Sequence, residues 1–214
     1  MASGRRHCIK RLAALALLGP AAIGRAQASK PVVLVLGDSL SAEYGLQRGS
    51  GWVALLERKL ADEKIAASVV NASISGDTTA GGRARLAALL AQHRPAVVVI
   101  ELGGNDALRG LPLSGTAANL AAMTRAAKAA GAKVLLLGMQ VPPNYGRQYN
   151  EDFAAMYAKV AKDENASLLP FFLKDVGDTP KAPELFQSDR IHPNEKAQPT
   201  MLANVWPLLR PLLR

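Results

Sequence analysis

The chain has 214 residues, 49% of them hydrophobic and 5% aromatic, with 26 Lys and Arg against 17 Asp and Glu. That length and composition suit one domain with a sizeable core and exclude a disordered or collagen-like chain. The net charge of +9 raises nucleic-acid binding as a candidate, but no Lys/Arg block with interleaved aromatic residues accompanies it.

Much of the basic excess sits at the start. Arg5, Arg6, Lys10 and Arg11 form a basic segment, residues 12–23 a short apolar one, and Ala26-Gln27-Ala28 a small-residue cleavage site. This is the pattern of a secretory signal peptide over residues 1–28, cut after Ala28, and it implies a periplasmic or secreted protein. The apolar segment, interrupted by Pro20, falls short of the roughly 20 residues that cross a bilayer. Without the leader the balance is 21 basic to 17 acidic residues, which is ordinary for a small soluble domain and gives no reason to expect nucleic acid as a partner. Cys8, the single cysteine, leaves with the leader, so disulfides, thiolate metal sites and a cysteine nucleophile are not expected.

From Ser29 onward the pattern predicts a single domain, residues 29–214. Residues 32–36 are an unbroken aliphatic run that stops at Gly37-Asp38-Ser39, as a buried parallel strand does on entering a loop. After a polar loop, Trp52, Leu55, Leu56 and Leu60 recur at helical spacing over 51–63. A short strand over 67–71 follows, then a loop containing Ser75-Gly76-Asp77. A helix is expected over 83–93, its start delayed by the poor helix formers Gly81 and Gly82 and its end set by Pro95. The clearest strand, 96–102, stops at Gly103-Gly104-Asn105-Asp106, read as a turn. The alternation continues with a helix over 116–130, a strand over 134–137, a loop over 140–146, a helix over 150–165 and a strand over 167–169. A Pro- and Asp-rich stretch over 170–188 leads to a last helix starting near Asn194. Five strands in strict β-α alternation predict an α/β fold, a three-layer α/β/α sandwich on a five-stranded parallel sheet.

In such sheets ligands bind at the carboxyl ends of the strands, so the loops there are compared for chemistry. Ser39 is a nucleophile or a turn residue, and a serine hydroxyl needs a base to act. Of three histidines, His7 leaves with the leader and His93 suits a helix carboxyl end, which leaves His192. Asp189, three residues earlier, can hold the imidazole Nδ1–H and fix its tautomer. Gly76, Asn105 and the Ser39 N–H can supply oxyanion donors. Asp38 is read as a turn former. One candidate histidine and no cysteine leave too few ligands for a metal, and no Gly-rich phosphate cradle suggests a cofactor.

Gly37-Asp38-Ser39-Leu40-Ser41, Ser75-Gly76-Asp77, Gly103-Gly104-Asn105-Asp106 and Asp189-Arg190-Ile191-His192-Pro193 resemble the four sequence blocks of the SGNH (GDSL) hydrolases. The resemblance runs over nearly all of the chain after the leader and is nearest to the periplasmic thioesterase I, lysophospholipase L1 and arylesterase branch. It implies a flavodoxin-like SGNH fold, Ser39 as nucleophile, His192 as base, Asp189 as its orienter, and Gly76 and Asn105 as oxyanion donors. The chain departs from the pattern at Glu43 and Arg190, where a changed rim would alter substrate preference. The expected substrate is a small acyl ester or thioester, met by a monomer with at most transient contact with lipid. An acyl groove is expected around Leu108, Leu111, Pro142 and Asn144. Two other readings are an O-acetyl esterase acting on envelope polysaccharide and a non-catalytic flavodoxin-like binding module.

Overall fold

The computed structural model describes Met1 and residues 30–214, so the leader and its cleavage site lie outside the described residues. Five strands form one parallel sheet: β1 (Val32–Gly37), β2 (Ser68–Asn71), β3 (Val97–Glu101), β4 (Lys133–Leu137) and β5 (Ser167–Leu169), ordered β2-β1-β3-β4-β5. The α/β sandwich expected from the alternation is what forms. Leu34 of β1 stands opposite Val70 of β2 and Val98 of β3, and every residue of β3 is buried. That explains the unbroken aliphatic runs of β1 and β3, since a central strand covered on both faces has no solvent side to alternate with.

Among the described residues seven helices follow in chain order: α1 (Trp52–Asp62), α2 (Thr79–His93), α3 (Gly104–Leu108), α4 (Leu113–Ala129), α5 (Arg147–Asp163), α6 (Ala182–Leu185) and α7 (Gln198–Leu209). α1 packs on α7, whereas α2 packs on α4 and α4 on α5, giving one helical layer to each face of the sheet. The chain after β1 runs to β2 on one side, and β3 lies on the other, so the order reverses between β1 and β3. A crevice at such a reversal is where α/β sheets place ligands, and Ser39 emerges there.

α4 and α5 each begin three residues before their expected starts, and three further differences from the sequence expectation have identifiable reasons. α2 begins at Thr79, ahead of Gly81 and Gly82, because the Thr78 hydroxyl caps it by accepting the Gly81 N–H at 3.2 Å. Gly82 is there for space: a Cβ would lie 2.3 Å from Leu102 Cδ1. The Gly103–Asp106 turn is instead the start of a helix, since Gly103, at φ 121, makes the sharp exit alone and α3 follows at once. The stretch over 170–188 contains α6, a single turn with Pro183 in its first residues. At the end, a 3-10 turn over Glu195–Ala197 capped by Asn194 leads into α7, and Leu212 and Leu213 pack against the core. No helix among the described residues is long and apolar enough to cross a membrane.

Candidate active site

Ser39 stands two residues past the buried end of β1, and the Ala42 N–H donates to the Asp38 carbonyl at 2.9 Å, coiling the chain into a turn. Gly37 permits the tight exit, because a Cβ there would meet Glu101 Oε2 at 2.8 Å and Ser41 Cβ at 2.9 Å. His192 arrives from the far end of the chain on the stretch between β5 and α7. Its Nε2 lies 2.9 Å from Ser39 Oγ, across 153 residues of sequence. Its Nδ1 lies 2.6 Å from Asp189 Oδ2. An ionised carboxylate only accepts, so Nδ1 carries the proton and Nε2 is free to accept the serine O–H.

The Asp189 turn is built to stay ionised. Burial pushes its carboxyl up, but the N–H groups of His192 and Ile191 and then the imidazole outweigh it, holding Asp189 down to about 2. Both N–H groups reach Oδ1, at 3.0 and 2.9 Å, and Arg190 takes the left-handed φ of 59° that lets the turn close. Gln187 ties this stretch to the nucleophile loop. Its side-chain amide donates to the Tyr44 carbonyl at 2.8 Å, and its backbone N–H donates to the His192 carbonyl at 2.8 Å.

Gly76 sits in the loop after β2 with φ 79°, and Arg109 Nη2 holds its carbonyl at 2.7 Å. Asn105 lies in the first turn of α3, where its Nδ2 donates to Asp38 Oδ2 at 3.0 Å. An amide NH₂ has two hydrogens, so one remains for an oxyanion. Asp106 joins the two loops: its carboxylate accepts the Thr79 N–H at 2.9 Å and the Thr116 hydroxyl at 3.2 Å, drawing α2, α3 and α4 together. Sequence reasoning gave Asp106 no role, because its main partner, the first N–H of α2, lies 27 residues away in the chain.

Asp38 is more than a turn former. It is 3% exposed, accepts the Leu40 N–H and the Asn105 amide, and is raised to about 6. Burial is the main cause; the hydrogen bonds from Leu40 and Asn105 and the nearby His192 pull the other way. Glu101, last residue of β3, lies beneath it at 1% exposure and is pushed well above the carboxylate range, first by burial and then by the charge of Asp38. Glu101 Oε2 accepts the Ser41 hydroxyl at 2.8 Å and the Asp38 N–H at 3.3 Å, and Trp52 Nε1–H donates to Ser41 Oγ at 3.1 Å. A glutamate ending an otherwise aliphatic strand was the signal available for this buried pair.

The rim residues divide. Leu108 and Leu111, 47% and 39% exposed, lie at α3, which carries Asn105 and, through Arg109, touches Gly76. Pro142 and Asn144 are exposed on the loop after β4, two strands from β1, hence roughly 10 Å across the sheet. Val141 on that loop is buried in the core, where Asn150 brackets its backbone. Glu43 does not face the rim freely, because its carboxylate accepts the N–H groups of Gly49 and Gly51 at 3.0 and 2.8 Å. Among the described residues no group of three or more His, Cys, Asp or Glu could hold a metal ion.

Residues 35–198 match the sequence profile of the GDSL-like Lipase/Acylhydrolase family. The chain belongs to that family. This GDSL hydrolase is 57% identical to "Esterase TesA" of Pseudomonas aeruginosa over 187 residues, 87% of this chain and 92% of the relative. It is 47% identical to "Thioesterase 1/protease 1/lysophospholipase L1" of Escherichia coli K12 over 186 residues, 87% of this chain and 86% of the relative. The crystal structure of TesA superposes with a TM-score of 0.82, covering 85% of the GDSL hydrolase and 99% of that chain. The psychrotrophic esterase EstA from Pseudoalteromonas, in a structure inhibited by monoethylphosphonate, gives 0.80 at 42% identity, covering 85% and 98%.

Proposed function

We propose that this GDSL hydrolase is a serine esterase that hydrolyses carboxylic esters and thioesters, with aryl esters, acyl-CoA-type thioesters and lysophospholipids as its substrate classes. The observation that carries the assignment is the 2.9 Å approach of His192 Nε2 to Ser39 Oγ with Asp189 on the opposite ring nitrogen. His192 takes the Ser39 proton as Oγ bonds to the acyl carbon, and the carbonyl π electrons move onto oxygen. The N–H groups of Ser39 and Gly76 and the second hydrogen of the Asn105 amide receive that oxyanion. Collapse expels the alcohol or thiol, which takes the proton from His192. A water then gives a proton to His192 as its oxygen bonds to the acyl carbon, and collapse breaks the Ser39 Oγ–acyl bond, Oγ taking that proton back from His192 as the acid departs. The names of the relatives, an esterase, a thioesterase and lysophospholipase, and an arylesterase of Vibrio mimicus, support these substrate classes.

Ser39→Ala should abolish turnover of a short-chain aryl ester and covalent labelling by an alkyl phosphonate, with the circular dichroism spectrum unchanged. Retained turnover or labelling would overturn the assignment. We further propose that residues 1–28 are removed on export to the periplasm or medium and that residues 29–214 act as a single-domain monomer. N-terminal sequencing of the exported protein, expected to begin at Ser29, and its sedimentation test both statements. The acyl chain is assigned to the side of α3 carrying Leu108 and Leu111, with Pro142 and Asn144 reached only by longer chains.

A further inference from the structure

Two exposed side chains, one against the ring of the base and one next to it in the chain, take no part in the hydrolytic steps. Tyr44 and Ile191 are each 50% exposed. The Tyr44 ring centroid lies 4.4 Å from that of His192, with the planes tilted by 40°. Ile191 is the residue immediately before His192.

Their placement is enforced by the backbone. Glu43 takes a left-handed φ of 59°, and its carboxylate offsets the strain by capping Gly49 and Gly51. The chain therefore bends just before Tyr44. Beyond the bend, the Tyr44 carbonyl is held by Gln187, whose own N–H holds the His192 carbonyl. Tyrosine and histidine are thus fixed against each other by a shared partner.

Chemistry states which end of the ester meets this pair. When the tetrahedral intermediate collapses, His192 protonates the departing oxygen or sulfur, so that atom must come within roughly 3 Å of Nε2. Whatever is bonded to it lies beside His192. The acyl portion leaves the same carbon along a different tetrahedral direction, which the assignment above places on the α3 side. We infer that Tyr44 and Ile191 form the leaving-group subsite, and that it favours an aromatic alcohol or thiol over a small alkyl one. A half-exposed tyrosine face offers an offset or edge-to-face partner to an aryl ring, and Ile191 adds an apolar second contact. A methyl or ethyl group reaches neither surface to the same extent.

The inference rests on the Ser39–His192 assignment, and its test separates the two. Phenyl butyrate and methyl butyrate give the same butyryl-enzyme, so kcat/KM reports acylation, and the intrinsic reactivity of each ester cancels when variants are compared. In Tyr44→Ala and Tyr44→Leu the phenyl-to-methyl ratio of kcat/KM should fall about fivefold, the scale of one aromatic pair. Tyr44→Phe should keep the parent ratio, and Ile191→Ser should lower it. A ratio unchanged in both Tyr44→Ala and Tyr44→Leu overturns the subsite even if both rates drop together, because that pattern marks a residue that only positions His192. Turnover of both esters by Ser39→Ala would instead overturn the triad.

Discussion

Asp38 shows how much a residue beside the nucleophile can control without touching substrate. Its two carboxylate oxygens serve different donors, Leu40 N–H on Oδ1 and Asn105 Nδ2 on Oδ2. An asparagine there has one acceptor, so its NH₂ must face another donor. If it keeps Leu40, the Asn105 amide is turned away from the oxyanion position. Asp38→Asn should therefore lower kcat on an aryl ester by about 10²-fold, near the loss of one oxyanion donor, with a much smaller change in KM. The check is steady-state kinetics of the folded variant beside Asn105→Ala. If Asp38 acts through Asn105, the double variant loses little more than either single one.

At the scale of the element, the short turns that begin α2 and α3 aim the oxyanion donors. Thr78 caps α2 two residues after Gly76, so Thr78→Ala should cost about 1 kcal/mol of stability. A lower urea midpoint at unchanged slope is the expected result. The strands and the long helices were legible in the sequence because burial on both faces leaves an aliphatic run and burial on one face leaves a 3.6-residue period. What could not be read were elements set by single contacts. The start of α2 depended on a threonine cap, α3 on one glycine with an unusual φ, and α6 on no periodicity at all. The same division holds for the site. Ser39, Asp189 and His192 could be singled out by elimination and by the family blocks, and the structure brings them together. Asp38 and Glu101 escaped because their importance is burial, which a loop aspartate and a strand-end glutamate do not advertise. Tyr44 escaped because its contact with His192 joins residues 148 positions apart.

For the whole molecule, the carboxylates pull stability in opposite directions as pH changes. Asp189 is held at about 2 in the fold against an ordinary value of 3.8, so it stabilises above that value and the benefit is lost as pH falls toward 2. Its exposure keeps this contribution small. Asp38 is raised to about 6, so its contribution is fully present below 3.8 and disappears as pH rises through 6. Unfolding free energy should decline from pH 5 to pH 7 in the parent, and the decline should be shallower in Asp38→Asn. Urea titrations at fixed ionic strength across that interval measure the slope.

The nucleophile and the base belong to parts of the chain with unequal support. Ser39 is fastened to a central strand, whereas Asp189 and His192 ride on the stretch between β5 and α7, whose regular structure is the four-residue α6 and a 3-10 turn. Between the buried Val176 and Ala197, that stretch is tied to the nucleophile loop by Gln187 on the Tyr44 carbonyl and His192 on Ser39 Oγ, whereas the Asn194 amide on the Glu184 and Phe186 carbonyls and the bridge between Phe186 and Pro193 are bonds within it. A segment secured by so few bonds opens at a lower free energy than the sheet. Catalysis is then a more sensitive thermometer than the fold: on heating, hydrolysis should fade several degrees before the far-ultraviolet signal melts, and return on cooling. Gln187→Ala should widen that interval while leaving the melting temperature nearly where it was.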